Sequence, residues 1–189
     1  MPPLQLDPAK TALVIIDLQN GIVGRPVVPH TAAEIVGRSA RLAQAFREKG
    51  SPVVYVRVDL ADLLHLPADE CFRSPSDPLP PVTASELVPE AGFQPGDILI
   101  TKRHWGAFAD TGLEQTLKQR GIDTVVLTGI SSNIGVESTA RQGTGLGLAF
   151  VIVEDACGTT DEESHRHVFE KTFPRLARVR KTEEVLAAL

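Results

Sequence analysis

This sequence predicts an α/β fold, a doubly wound and mainly parallel sheet with helices on both faces, and three observations predict it. Short apolar runs rich in Val, Ile and Leu recur at residues 11–16, 52–58, 97–101, 124–128 and 149–153. Continuous apolar runs of this length are what strands buried on both faces require. Segments with helical periodicity and their own stop signals alternate with them. Repeated βα order implies parallel pairing through right-handed crossovers, hence a Rossmann-like three-layer α/β/α arrangement.

The first run, 11–16, ends in Asp17. A helix is expected over 31–49. Thr31-Ala-Ala-Glu34 forms a capping box, apolar residues recur at Ile35, Leu42 and Phe46, and Gly50 closes it. The second strand spans 52–58. From 59 to 95 the periodicity is lost, and seven of the fourteen prolines fall here. A long irregular segment inside one domain reads as a lid or interface loop. It does not read as a linker, because the strand–helix rhythm resumes beyond it. The third strand, 97–101, leads into Lys102, and a helix over 111–120 is closed by Gly121. The fourth strand, 124–128, is followed by a helix from about Asn133, and the fifth spans 149–153. Thr160-Asp-Glu-Glu163 caps another helix, 177–180 reads as a sixth strand, and 182–189 as a short terminal helix. The whole of 1–189 is expected to be a single domain.

Composition narrows the function. A net charge of −5 with scattered basic residues argues against a nucleic-acid partner. The cluster Arg178-Val-Arg-Lys181 reads as a solvated strand end. The N-terminal stretch carries no basic region before an apolar run, and no window approaches the ~18 apolar residues needed to span a bilayer. A cytoplasmic chain with no membrane partner is expected. Cys71 and Cys157 make neither a disulfide framework nor a metal-ligand spacing. His165 and His167 stand two apart on an expected helix, so their rings diverge. Gly143-Thr-Gly-Leu-Gly147 follows a helix and precedes a strand, the reverse of the dinucleotide-loop order, and reads as a glycine-rich helix end.

In such a sheet ligands bind beyond the carboxyl ends of the strands. Asp17 closes the first strand, Lys102 the third, and Gly135 lies just past the fourth. An acid, a base and a helix start therefore converge on one edge. Taken singly, Asp17 reads more readily as a turn or cap residue than as a catalyst, and Lys102 as a solvated strand terminus.

The stretches ALVIIDLQNG, ITKRHWGAF, TGISSNIGVESTAR and VIVEDAC, in this order and spacing, resemble the isochorismatase-like (cysteine hydrolase) family. The resemblance covers the principal strands from Thr11 to Cys157. It implies that Asp17 and Lys102 are two members of a catalytic triad. It also implies a cis peptide at Ile130–Ser131, which brings the backbone N–H groups of Ser131 and Gly135 together as an oxyanion site. In most of that family the residue at position 135 is a nucleophilic Cys. Here it is Gly135, so no acyl-enzyme can form there. Isochorismatases proper also carry Gly, and cleave a vinyl ether without a protein nucleophile. On that reading Asp17 is a proton donor. Lys102 beside it should hold the carboxylate ionised, a conflict that an anionic substrate engaging Lys102 would resolve.

The resemblance thus implies a small-molecule hydrolase acting on a vinyl ether, or on another anionic or amide substrate, probed first by pyruvate release from isochorismate. The alternative is a ligand-binding pseudoenzyme that has lost its nucleophile. Trp105 and Phe108 are candidates for a substrate-facing wall, or for packing of their loop on the sheet. Asn133 and Asn20 orient ligands or cap turns, and Arg57 and Arg73 could hold a carboxylate. The zinc-bearing branch of the family has a histidine pair after the second strand. Here 58–65 holds only His65, so neither metal nor other cofactor is expected. A homo-oligomer is expected.

Overall fold

The computed structural model describes residues 4–64, 66–70, 74 and 76–189. Cys71, Arg73 and His65 lie outside the described residues. Six strands form one sheet: β1 (Thr11–Ile16), β2 (Val53–Val58), β3 (Ile98–Lys102), β4 (Thr124–Ile130), β5 (Ala149–Gly158) and β6 (Arg178–Arg180). Their spatial order is β3-β2-β1-β4-β5-β6, and every neighbouring pair is parallel. The chain builds outward from β1 on one side, then returns to build outward on the other. The switch of direction therefore falls between β1 and β4, where a doubly wound sheet opens its ligand crevice.

Side-chain alternation along β1 divides the core. Ala12, Val14 and Ile16 face one layer, whose helices are α3 (Leu113–Gln119), α4 (Glu137–Gly145) and α6 (Phe173–Leu176). Leu13 and Ile15 face the other, against Ile35, Leu42 and Phe46 of α2 (Ala32–Glu48). This period of two, with both faces covered, is why the strands read as continuous apolar runs. Helix α2 begins at the expected capping box. Thr31 Oγ1 accepts from Glu34 N at 3.3 Å, and Glu34 Oε2 accepts from Thr31 N at 2.9 Å. The terminal helix α7 (Thr182–Leu186) adds Val185 to the α2 side.

Several boundaries differ from expectation, each for a local reason. Strand β5 runs past residue 153 to Gly158 because its register on β4 shifts. Leu127 pairs with Ile152, whereas Gly129 pairs with Cys157. Two steps on β4 thus face five on β5, an irregularity that breaks the apolar pattern at Glu154 and Asp155. The helix expected from Asn133 starts as a five-residue π-type turn, Ser132–Val136, before α4. The helix α5 (Glu162–His167) is capped by Asp161, whose carboxylate accepts from Ser164 N at 2.8 Å, rather than by Thr160. A four-residue helix, α1 (Asn20–Val23), was too short to show a periodicity.

The proline-rich segment is tied down along its second half. Val88 N donates to Leu18 O at 3.0 Å, Asn20 N to Glu86 O at 3.0 Å, and Tyr55 Oη to Ala91 O at 2.7 Å. Arg47 closes the segment with a two-pronged bond to Asp97 at 2.8 and 2.6 Å. These contacts seat the segment beside the carboxyl ends of β1 and β2.

Candidate active site

Asp17 follows the last residue of β1 and has φ of 55°, a conformation disfavoured for a residue with a Cβ. Its N–H still donates to Val56 O at 2.8 Å, so the strand end is fixed while the side chain is turned off the sheet. Lys102, the last residue of β3, reaches across the end of β2. Its ammonium donates to Asp17 Oδ2 at 2.8 Å and to Trp105 O at 2.7 Å. Both side chains are almost fully buried.

The second carboxylate oxygen, Asp17 Oδ1, is buried with no hydrogen-bond partner among the described residues. The Val58 N–H, which lowers the Asp17 carboxyl only slightly, makes its hydrogen bond to Gln19 Oε1 at 2.8 Å. Burial therefore wins over the lysine, and the Asp17 carboxyl is raised above its ordinary value. The sequence expectation was the reverse, because it counted the Lys102 charge without the desolvation of an orphaned oxygen.

Gly135 completes the group. A Cβ built on it would lie 3.3 Å from Asp17 Oδ2 and 3.5 Å from Lys102 Nζ. It would also come within 2.9 Å of Ile16 Cγ2, closer than real Cβ contacts allow without a small shift. A side chain at 135 would thus point between the acid and the base. The Ile130–Ser131 peptide is cis, and the turn beyond it carries Ser131 and Gly135 to the wall of the same pocket.

Three side-chain bonds fix that turn. Thr139 Oγ1 donates to Gly135 O at 2.7 Å and accepts from Ala107 N at 3.1 Å, joining the turn to the loop after β3. Thr159 Oγ1 donates to Asn133 Oδ1 at 2.7 Å. Ser132 Oγ and His165 Nδ1 are 2.9 Å apart, both residues buried, with the imidazole stacked on Phe169. Burial, with a smaller contribution from His30, pushes the His165 imidazole down to about 4.

Above Asp17, Lys102, Ser131 and Gly135 the pocket walls are mostly apolar: Val58, Leu60, Leu63, Ile130, Ile134 and Trp105. Ile22 and His104 complete them. Of the sequence candidates, Asp17, Lys102, Ser131, Gly135 and Trp105 meet here. Phe108 does not. It sits in the core, 9 % exposed, against Phe150 and the α4 backbone at Gly143. That packing is what the glycine-rich helix end serves, since a Cβ at Gly143 would fall 2.4 Å from Phe150. Asn133 faces away from the pocket, into a groove it shares with Glu137, Asp161 and His167. Asn20 bonds Thr83 O at 2.9 Å, and Arg57 bonds Thr101 at 3.1 Å; neither lines the pocket.

Sequence reasoning missed Gln19. Fully buried, it donates to Val58 O at 2.9 Å and Ala84 O at 3.2 Å, clamping the proline-rich segment to the ends of β1 and β2. A polar residue two positions beyond Asp17, next to an apolar run, was the available signal. Cys157 is buried in the core, where desolvation pushes its thiol far above the usual range, so it is no substitute nucleophile.

A buried acid–lysine pair and a tight turn meet at the switch point of a doubly wound parallel sheet, the edge where this class of α/β protein binds small ligands. Residues 11–184 match the model of the isochorismatase domain, and the chain belongs to the isochorismatase family. It is 49 % identical to YecD, an isochorismatase family protein of Escherichia coli O157:H7, over 98 % of this chain and all of that one. An isochorismatase family protein from Burkholderia thailandensis has a structure similar to it with a TM-score of 0.91 at 41 % identity, covering 100 % of this chain and 99 % of that one. The ureidoacrylate amidohydrolase RutB of Methylobacterium radiotolerans is 29 % identical over 87 % of this chain and 73 % of its own. The protein is a hydrolase of this family.

Proposed function

We propose that this hydrolase works without a protein nucleophile and cleaves an enol (vinyl) ether, with Asp17 as the proton donor. The observation that carries the reading is the buried, unpartnered Asp17 Oδ1 beside a position 135 that has no side chain. A carboxyl raised by burial is kept as an acid where a proton must be delivered.

In this reaction Asp17 transfers its proton to the terminal carbon of the enol ether, whose π electrons form the new C–H bond. The ether-bearing carbon becomes an oxocarbenium ion, facing the carboxylate just formed. Water adds there and loses a proton, which returns to Asp17. The hemiketal collapses to a ketone and an alcohol. Lys102 holds Asp17 in place and receives an oxygen of the substrate, while the N–H groups of Ser131 and Gly135 bind a polarised oxygen at the turn.

The relation to an amidohydrolase favours amide cleavage as a second reading. The glycine at 135 weighs against it, since water would have to replace the thiol. The test is release of ketone or pyruvate from a panel of enol ethers, isochorismate among them. Release abolished by Asp17→Asn is expected. Turnover of amides alone, or turnover that survives the substitution, would contradict the reading.

A further inference from the structure

Enol-ether cleavage moves protons at two places. One is the terminal carbon, which Asp17 serves. The other is the ether oxygen, which must take up a proton when the hemiketal collapses, because an alkyl alkoxide leaves poorly in neutral water. At Asp17, Oδ2 is held by the Lys102 ammonium at 2.8 Å, which leaves Oδ1 as the oxygen to carry the transferable proton. A proton carrier works only within hydrogen-bond reach. One oxygen placed for the terminal carbon is displaced from the ether oxygen, which hangs on a different bond of the ether-bearing carbon.

A second proton-carrying side chain stands in the wall. His104, half-buried, lines the pocket together with Asp17 and Lys102. It sits two residues beyond Lys102 on the loop that follows β3, and that loop is pinned on either side of it. Arg103 O accepts from Leu64 N at 2.7 Å, and Trp105 O accepts from Lys102 Nζ at 2.7 Å. Further on, Ala107 N donates to Thr139 Oγ1 and Phe108 N to Gln142 Oε1, both at 3.1 Å. The ammonium that holds Asp17 therefore also holds the backbone beside His104, and the carboxyl and the imidazole share one rigid frame. Imidazole is the side chain best suited to take a proton and give it back near neutrality.

We propose that His104 is the second proton carrier of this site and serves the departing oxygen. The ring takes the proton of the hemiketal hydroxyl while the electron pair of that O–H bond forms the carbonyl. The carbon–ether bond breaks with its electron pair on the ether oxygen, and the imidazolium delivers the proton there. Ketone and alcohol leave, the ring is as it began, and no co-reactant is consumed. The inference rests on the enol-ether reading and deepens it by naming the group that handles the leaving alcohol.

The experiment compares two enol ethers of pyruvate, α-methoxyacrylate and α-(para-nitrophenoxy)acrylate, with the full chain and with His104→Asn. Methoxide needs a proton to leave, whereas para-nitrophenolate does not. His104→Asn is expected to lower pyruvate release from the methyl ether about a hundredfold, and from the nitrophenyl ether by no more than about threefold. With the methyl ether, loss of the enol-ether absorbance should run ahead of pyruvate release as hemiketal accumulates. Retained turnover of the nitrophenyl ether also shows that the variant is folded. Free imidazole is expected to restore methyl-ether turnover to His104→Ala. Loss by the same factor on both ethers, loss on neither, or no response to imidazole would overturn the role of His104 and leave that of Asp17 in place. Pyruvate release from neither ether by the unsubstituted chain would overturn the enol-ether reading, and the role of His104 with it.

Discussion

Two buried polar pairs lie close to one turn of this protein, and they differ in what they leave unpaired. Asp17 and Lys102 meet at 2.8 Å beneath the pocket, with a carboxylate oxygen orphaned. Ser132 and His165 meet at 2.9 Å behind the turn, away from the pocket, with His165 Nε2 orphaned. Both cost desolvation free energy, and both lack one hydrogen bond. The first pair contains the raised acid and abuts the pocket, so its carboxyl can exchange a proton with a ligand. The second is sealed between α5 and the turn, so its polarity serves to fix the turn that carries Gly135. The same turn thus has a reactive side and a supporting side.

The comparison can be broken from either side. Asp17→Asn removes the proton and is expected to lower kcat by about a thousandfold, within the range of general acids, read from product release. Lys102→Met removes the donor to Asp17 Oδ2 and Trp105 O and is expected to cost about 1–3 kcal/mol near neutrality, measured by urea denaturation. Its sign with pH is definite. The Asp17 carboxyl is already raised, and loses the Lys102 cation that lowers it. Stability should be present at acid pH below the ordinary carboxylate value and lost as pH rises through the raised one. The unsubstituted protein shares that sign with a smaller amplitude.

Gly135→Cys places a thiol beside Asp17 Oδ2 and Lys102 Nζ and crowds Ile16. Alkylation by iodoacetamide at neutral pH is expected to be about tenfold faster than for an ordinary thiol, with enol-ether turnover reduced. A slow, ordinary thiol would show that position 135 is not poised toward the pair.

On the supporting side, the His165 imidazole is pushed down to about 4 from 6.5. Between those values the unfolded chain binds the proton that the folded chain refuses. Stability is therefore lost as pH falls from 6.5 toward 4, by an amount on the order of 3 kcal/mol. His165→Phe is expected to remove that component of the pH dependence, read from denaturation midpoints across this window. Ser132→Ala, the smallest change, should cost about 1 kcal/mol and leave the Asp17-dependent pH profile of turnover in place.

The strands were legible because burial on two faces leaves an uninterrupted apolar run, and Asp17 and Lys102 were legible as the polar residues that end two such runs. Those cues fail where the chain is not periodic. Phe108 and Trp105 stand three apart in one loop, and nothing in their order says that one enters the core and the other lines the pocket. Asn133 lies two residues from Gly135, yet the π-type turn sends it to the opposite side. Gln19 and Thr139 act through backbone atoms of distant segments, contacts that no local pattern encodes. The burial of the Asp17 carboxyl is also a tertiary fact, and it reverses the direction of shift expected from charge pairing alone.

The most direct test of Asp17 as the acid is the pH dependence of kcat/KM for enol-ether hydrolysis, followed as ketone or pyruvate release. Activity should be full while the raised carboxyl is protonated and fall as pH rises through it, with the limb absent in Asp17→Asn. A rate that appears only as a carboxylate ionises would contradict the account and make Asp17 a base that activates water.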